Sequence, residues 1–206
     1  MNFFRMETEE IVFDDRIRLP FTFDYRRMME EVDSLATKDF TYYNVLPLRA
    51  PAHVVDNSLP FPPPSDNYAD GSWTDWMNTE DLETSPYLKE VVDFFAEHTK
   101  VTLVRLLRLA PNCTVEEHVD PTLGLEVKES VIRLTVPITV QSDVKFYLNS
   151  QEVLMEAGEC WYLRLTDPHK VVNSGSKERI NLTIDMQPND WIRAAIEQSM
   201  VKQEIR

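Results

Sequence analysis

The feature that most constrains this chain is a change of period at Val101. From there to residue 186, apolar residues recur at every second position in short runs separated by Pro, Gly, Asn and Ser. That is the pattern of antiparallel strands with one face turned to a core. The first run, Val-Thr-Leu-Val-Arg-Leu-Leu-Arg-Leu, covers 101–109, and further strands are expected at 113–119, 131–140, 144–149, 152–156, 159–165, 170–173 and 179–186. Eight strands arranged in two sheets is the count of a jelly-roll. The fold class is therefore mainly β, a jelly-roll with flanking helices. On the same alternation Arg105 should face solvent, with the interior as its alternative.

Upstream of Val101 the period is helical in two places. Asp24 is a plausible N-cap for a helix that carries Met28, Val32 and Leu35 on one face, and Ser85-Pro86 opens a second whose buried face is Leu88, Val91, Val92 and Phe95. Residues 3–18 read as one or two short strands, and 40–49 as a strand that breaks at Pro47 or becomes an edge there. The proline run at 58–64 should be an extended connection. Trp73 and Trp76 lie in an acidic, irregular stretch, where they should pin the loop to the core; lining a substrate mouth is the other role open to Trp73. Trp191, Ile192, Ala195, Ile196 and Met200 recur at helical spacing near the end. One domain over 1–206 accommodates all of this: 1–100 as cover and support, 101–186 as the jelly-roll, and 187–206 as a terminal helix. A chain of this length buries about 70% of the surface its unfolded form exposes, so no metal is needed merely to fold it.

Chemistry concentrates between His118 and Asp185. Side chains alternate faces in a strand, so His118 and Asp120 point the same way while Val119 points the other. His169 follows a distant apolar strand that a barrel would bring alongside. Two imidazoles and one carboxylate suit Fe(II), which they hold on one face while three positions stay open. Arg133 and Arg179 suit an anionic co-substrate.

In chain order these residues form H-x-D at 118–120, R-x-x-x-P at 133–137, G-E-x-W at 158–161, P-H-x-V-x-N-x-G at 168–175 and R-I-x-L-x-x-D at 179–185. The set resembles the aspartyl/asparaginyl β-hydroxylase family of Fe(II)/2-oxoglutarate dioxygenases, which also contains free-proline hydroxylases. The resemblance implies a double-stranded β-helix that uses O2 and 2-oxoglutarate to hydroxylate an unactivated carbon, releasing succinate. It implies iron bound by His118, Asp120 and His169, and the distal carboxylate of 2-oxoglutarate held by Arg179. Arg133 and Thr135 would lie on the co-substrate's side of the pocket, Thr135 standing where the family pattern usually has histidine. No catalytic residue is implied beyond the metal ligands. With Asp120 present the triad is complete and leaves no place for a halide, so hydroxylation is expected rather than halogenation.

The substrate class on this reading is a free amino acid or related small metabolite, or an Asp/Asn-type side chain of a peptide. If it carries a carboxylate, a further cation should face the pocket, and Arg105, Arg108, Arg164 and Lys128 are the candidates. The competing class is a cupin-like metal-binding jelly-roll, an isomerase, hydrolase or sensor, which would use the triad without 2-oxoglutarate and leave Arg179 unexplained. A formal charge of -14 argues against nucleic acid and anionic membrane as partners. No run approaches the roughly 20 apolar residues of a membrane span, and the amino terminus has no basic region followed by an apolar run and cleavage site, so neither secretion nor anchoring is expected. Cys113 and Cys160, both in apolar surroundings, read as buried free thiols of a cytoplasmic protein. Oligomeric state leaves no mark in the sequence.

Overall fold

The computed structural model describes residues 13–35 and 40–204; of the stretch 3–18 read as one or two short strands, 3–12 lies outside them. Before the change of period stand strands β1 (Arg16–Thr22), β2 (Tyr43–Pro51) and β3 (Trp76–Asn78), with helices α1 (Tyr25–Ser34), α2 (Ala52–Val55), α3 (Glu80–Glu83) and α4 (Pro86–Ala96). After it come β4 (Val101–Leu109), β5 (Cys113–His118), β6 (Ile132–Pro137), β7 (Val144–Leu148), β8 (Gln151–Glu152), β9 (Glu159–Leu163), β10 (His169–Asn173) and β11 (Arg179–Met186), closed by α5 (Asp190–Glu204). These strands form a seven-stranded sheet in the order β1-β9-β6-β11-β4-β2-β3, facing a four-stranded sheet in the order β5-β10-β7-β8. Every strand pairing is antiparallel. This is the double-stranded β-helix.

Alternation along the large sheet separates two layers. Ile180, Leu182, Ile184 and Met186 of β11, with Ile132, Leu134 and Val136 of β6, face outward into a core that they share with Met28 and Val32 of α1, Val91 and Phe95 of α4, and Ile192 and Ile196 of α5. Each such side chain contributes about 1.5–3 kcal/mol relative to exposure. The other faces turn inward toward the small sheet, where Leu109, Phe146, Leu148, Leu163 and Val171 form a second cluster. The site lies in this inner layer.

The helices are capped by two different means. Asp24 caps α1, accepting from the backbone N–H groups of Arg26 and Arg27. The first N–H groups of α4 are satisfied from outside, since the Glu31 carboxylate of α1 accepts from Tyr87 at 2.7 Å and Leu88 at 2.8 Å, which ties the two covering helices together. Pro47 does not end its strand. β3 pairs only with Arg49–Pro51, so β2 has a free edge at Pro47, and the register shifts between Pro47 and Arg49. The strand expected at 152–156 ends at Glu152: the Val153 N–H still donates to the Phe146 carbonyl at 2.9 Å, and Leu154 and Met155 then turn along a cavity that Val153 also lines.

The G-E-x-W motif is a structural lock. Gly158 has φ +83°, and an added Cβ would collide with the carbonyl oxygen of Phe23. Glu159 then accepts from Arg18 at 2.7 Å, from the Glu156 N–H at 2.9 Å and from the Trp161 indole at 3.0 Å, orienting that ring into the inner layer. Among the described residues no helix is long and apolar enough to cross a membrane.

Candidate metal centre

Antiparallel pairing of β5 with β10 sets His118 directly opposite His169, with ring centroids 4.2 Å apart. Asp120 lies just beyond the end of β5, and its backbone N–H donates to the Leu165 carbonyl at 2.8 Å, which anchors the turn. One ligand atom from each of the three lies within 4.8 Å of the others. Nδ1 of His118 is 2.7 Å from the Glu116 carbonyl, and Nδ1 of His169 is 3.0 Å from that of Asp167. A carbonyl only accepts, so both Nδ1 atoms carry the proton and both Nε2 lone pairs are free for a metal. Burial, chiefly, holds His169 below the ordinary imidazole value, which keeps it in the neutral form that a ligand requires. This donor set fits Fe(II).

Arg133 lies behind the carboxylate. Its Nε and Nη2 bind the two oxygens of Asp185 at 2.7 and 2.8 Å, and its Nη1 reaches Asp120 at 3.3 Å. The β6–β11 register places Arg133 opposite Asp185, and this explains the bidentate pair. Arg133 is thus held between two carboxylates, with three of its five N–H groups engaged. Thr135, two residues on, is buried on the inner face opposite Thr183 and beside Trp161.

The inner face of β11 carries Arg179, Asn181, Thr183 and Asp185, all buried. Four polar side chains in a row inside a barrel need partners. Asp185 has Arg133, and Thr183 donates to the Arg105 carbonyl at 3.3 Å. Arg179 is 7% exposed and has no carboxylate partner among the described residues; burial lowers it to about 10. Its guanidinium meets only the Asn181 amide oxygen and, at 6.0 Å, the face of Phe146, whose ring is also 6.0 Å from His169. A cavity of about 580 Å³ opens onto it, walled by Phe146, Asn181, Trp161, Gln141 and Met155. A buried cation facing open space can receive an anion.

Of the further cations, the structure brings only Arg105 toward the metal side chains. Contrary to the exposed position its alternation suggests, its side chain is 20% exposed and turned to the inner layer, because β4 lies between β2 and β11 with its odd-numbered residues facing inward. Arg164 is committed within the fold, to Asp167 at 2.8 Å and the Phe13 carbonyl at 3.0 Å. Arg108 is held bidentately by Glu178 at 2.8 and 2.6 Å. Lys128 is exposed on the loop after Asp120 and lines neither inner cavity. Pinning falls to Trp76, whose indole donates to the Gly71 carbonyl at 2.8 Å, while Trp73 joins Tyr68, Asp120, Arg133 and Asp185 around a cavity of about 270 Å³. Asn173, which the motif reading left without a role, donates to the carbonyls of Leu109, Ala110 and Lys177 and so fixes the turn that delivers Arg179. The role of Asp185 was readable in principle: β11 alternates polar and apolar residues throughout, yet is buried on both faces.

Comparison with known proteins follows the geometry. Residues 68–188 match the family described as aspartyl/asparaginyl beta-hydroxylase. The chain is 27% identical over 112 residues to L-proline cis-4-hydroxylase of Rhizobium meliloti (strain 1021), a match covering 52% of this chain and 39% of that protein. It therefore spans about two fifths of the length of the curated relative it matches. Among solved structures, an oxidoreductase of the 2OG-Fe(II) oxygenase family from Burkholderia pseudomallei superposes with a TM-score of 0.51 at 12% identity, covering 79% of this chain and 77% of that one. That likeness concerns the fold.

Proposed function

The chain belongs to the aspartyl/asparaginyl β-hydroxylase family, and on that premise we propose that it is an Fe(II)/2-oxoglutarate-dependent dioxygenase that hydroxylates an unactivated C–H of a small molecule, with a free amino acid or imino acid as the preferred class. His118, Asp120 and His169 would hold the iron, and Arg179 the distal carboxylate of 2-oxoglutarate. When bound, iron, co-substrate and O2 supply the oxidising power: 2-oxoglutarate is converted to succinate and CO2, and one oxygen atom enters the substrate. The protein's own contribution is placement. Glu116 and Asp167 carbonyls set the tautomers of the two ligand histidines, Arg133 steadies Asp120, and the apolar cluster around Phe146 and Leu148 keeps water from the inner chamber. The similarity to a proline hydroxylase favours a small substrate over a peptide side chain, and the two free thiols fit a cytoplasmic enzyme.

The observation that carries this reading is Arg179, a buried guanidinium that faces an open cavity and has no carboxylate partner among the described residues. A cupin-like metal protein without 2-oxoglutarate would have no use for that charge. The test is an anaerobic titration of the protein with Fe(II) and then 2-oxoglutarate. A visible charge-transfer band that saturates with 2-oxoglutarate is expected. Iron binding with no such band would overturn the proposal.

A further inference from the structure

We propose that the cavity between the sheets binds a monocarboxylic acid with an apolar tail, its head group on Arg179 and its tail running out toward solvent. The first support is a mismatch of size. The cavity measures about 580 Å³, within the roughly 300–1,000 Å³ of sites that enclose drug-sized ligands, and a short diacid leaves most of it empty. Arg179 and Asn181 form its inner end, whereas His118, Asp120 and His169 do not line it. A ligand can therefore reach Arg179 from outside without passing the metal ligands.

The walls specify the two ends of the ligand. At the inner end Arg179 is 7% exposed and has no carboxylate partner among the described residues, so a carboxylate aimed down the cavity completes it. The neighbouring polar groups are already engaged: the Gln141 amide donates to the Glu178 carbonyl at 3.0 Å, and the Thr139 hydroxyl accepts from the Ile180 N–H at 2.7 Å. Outward from there the lining is apolar, with Phe146, Val153, Met155 and Trp161, then Val140 and Leu154, which are 50% and 78% exposed. Single exposed apolar side chains are ordinary. Two of them on a cavity with a buried cation at its inner end make an amphipathic slot. The same lining carries Glu152, Glu156 and Glu159 against Arg18, so a second carboxylate at the far end of the ligand is repelled, and a monoacid is favoured over a diacid. One guanidinium fork serves one carboxylate. On the oxygenase reading above, on which this consequence rests, such an acid competes with 2-oxoglutarate and makes turnover sensitive to its supply.

Calorimetry on the metal-free full chain tests the site apart from the chemistry. Octanoate should bind, and each methylene removed, through hexanoate to butanoate, should weaken it roughly fourfold. Octanamide, which lacks the charge, and octanedioate, which carries a second one, should bind at least about tenfold more weakly. Arg179→Met should erase the preference for octanoate over octanamide. Leu154→Glu should weaken octanoate about tenfold while the Fe(II)/2-oxoglutarate band forms at the wild-type concentration, which also shows that this variant is folded. The inference is overturned if octanoate does not bind, if octanamide or octanedioate binds as well as octanoate, or if either variant binds octanoate like the wild type. With Fe(II) present, octanoate should raise the 2-oxoglutarate concentration that gives half of the band. Arg179-dependent octanoate binding without that rise upholds the site and counts against the place of the co-substrate on Arg179; the same binding in a protein that gives no band upholds the site and defeats the oxygenase reading.

Discussion

Replacing Arg179 by methionine should make the ligand-free protein more stable while removing its response to 2-oxoglutarate. Burial lowers the guanidinium from its ordinary value to about 10. At about 1.4 kcal/mol per unit, this penalises the charged form by about 3 kcal/mol. Both folded and unfolded states are protonated at pH 7, so the folded state carries the whole penalty there; it fades only as pH rises through about 10, where the folded state releases its proton first. Methionine removes the charge and keeps the length. Against this stand the Asn181 amide oxygen left without its donor and the lost contact with Phe146, each about 1 kcal/mol. The net gain is about 1 kcal/mol, which raises Tm by about 2–4 °C in a chain of this size. Thermal melts with Mn(II) as a non-reacting metal read both halves of the prediction. Wild type should gain about 2.7 kcal/mol of stability from 2-oxoglutarate at a hundredfold excess over Kd, and Arg179→Met almost none. A variant whose ligand-free Tm falls by several degrees would refute the argument that this charge is uncompensated, and one that still gains the full ligand stabilisation would refute its assignment to the co-substrate.

Other perturbations test the frame around the site. Asp185→Asn removes the partner that holds Arg133 behind Asp120, so Mn(II) affinity measured by calorimetry should fall about 10–100-fold although no ligand is touched; unchanged affinity would mean that Arg133 does not orient Asp120. Gly158→Ala should cost about 2 kcal/mol or more in urea denaturation, because φ there is +83° and the Phe23 carbonyl occupies the space a Cβ needs. The hydrogen bond from Arg16 is the main reason that Asp15 titrates below the usual carboxylate range. A depressed carboxylate stabilises the fold above its unfolded value and loses that contribution as pH falls through its folded one. Asp15→Asn should therefore lower Tm at pH 7 and make little difference near pH 3, and a pH-independent effect would point to packing instead.

What could be read ahead of the structure, and what could not, divides along the line between local and non-local information. β4 and β11 match their expected spans because alternation with β-branched and leucine residues is written within each run. His118 and Asp120 are two residues apart, so a single strand direction predicts that they share a face. The residues at 152–156 have the composition of a strand, but after Glu152 only the bond from the Val153 N–H to the Phe146 carbonyl of β7 continues the pairing, and Val153, Leu154 and Met155 line the cavity onto which Arg179 opens. Arg105 has the same character: alternation gives its parity, while which parity faces inward is decided by the register of β4 between β2 and β11. The clearest case is the pair Arg133 and Arg179. Both are inward-facing arginines in matched motifs, and nothing within either motif separates them. What separates them is that β6 runs antiparallel to β11 in a register that sets Arg133 against Asp185, six residues along the strand from Arg179. One arginine is thereby held between Asp185 and Asp120, while the other has no carboxylate partner among the described residues, a difference set by a strand pairing that neither segment encodes alone.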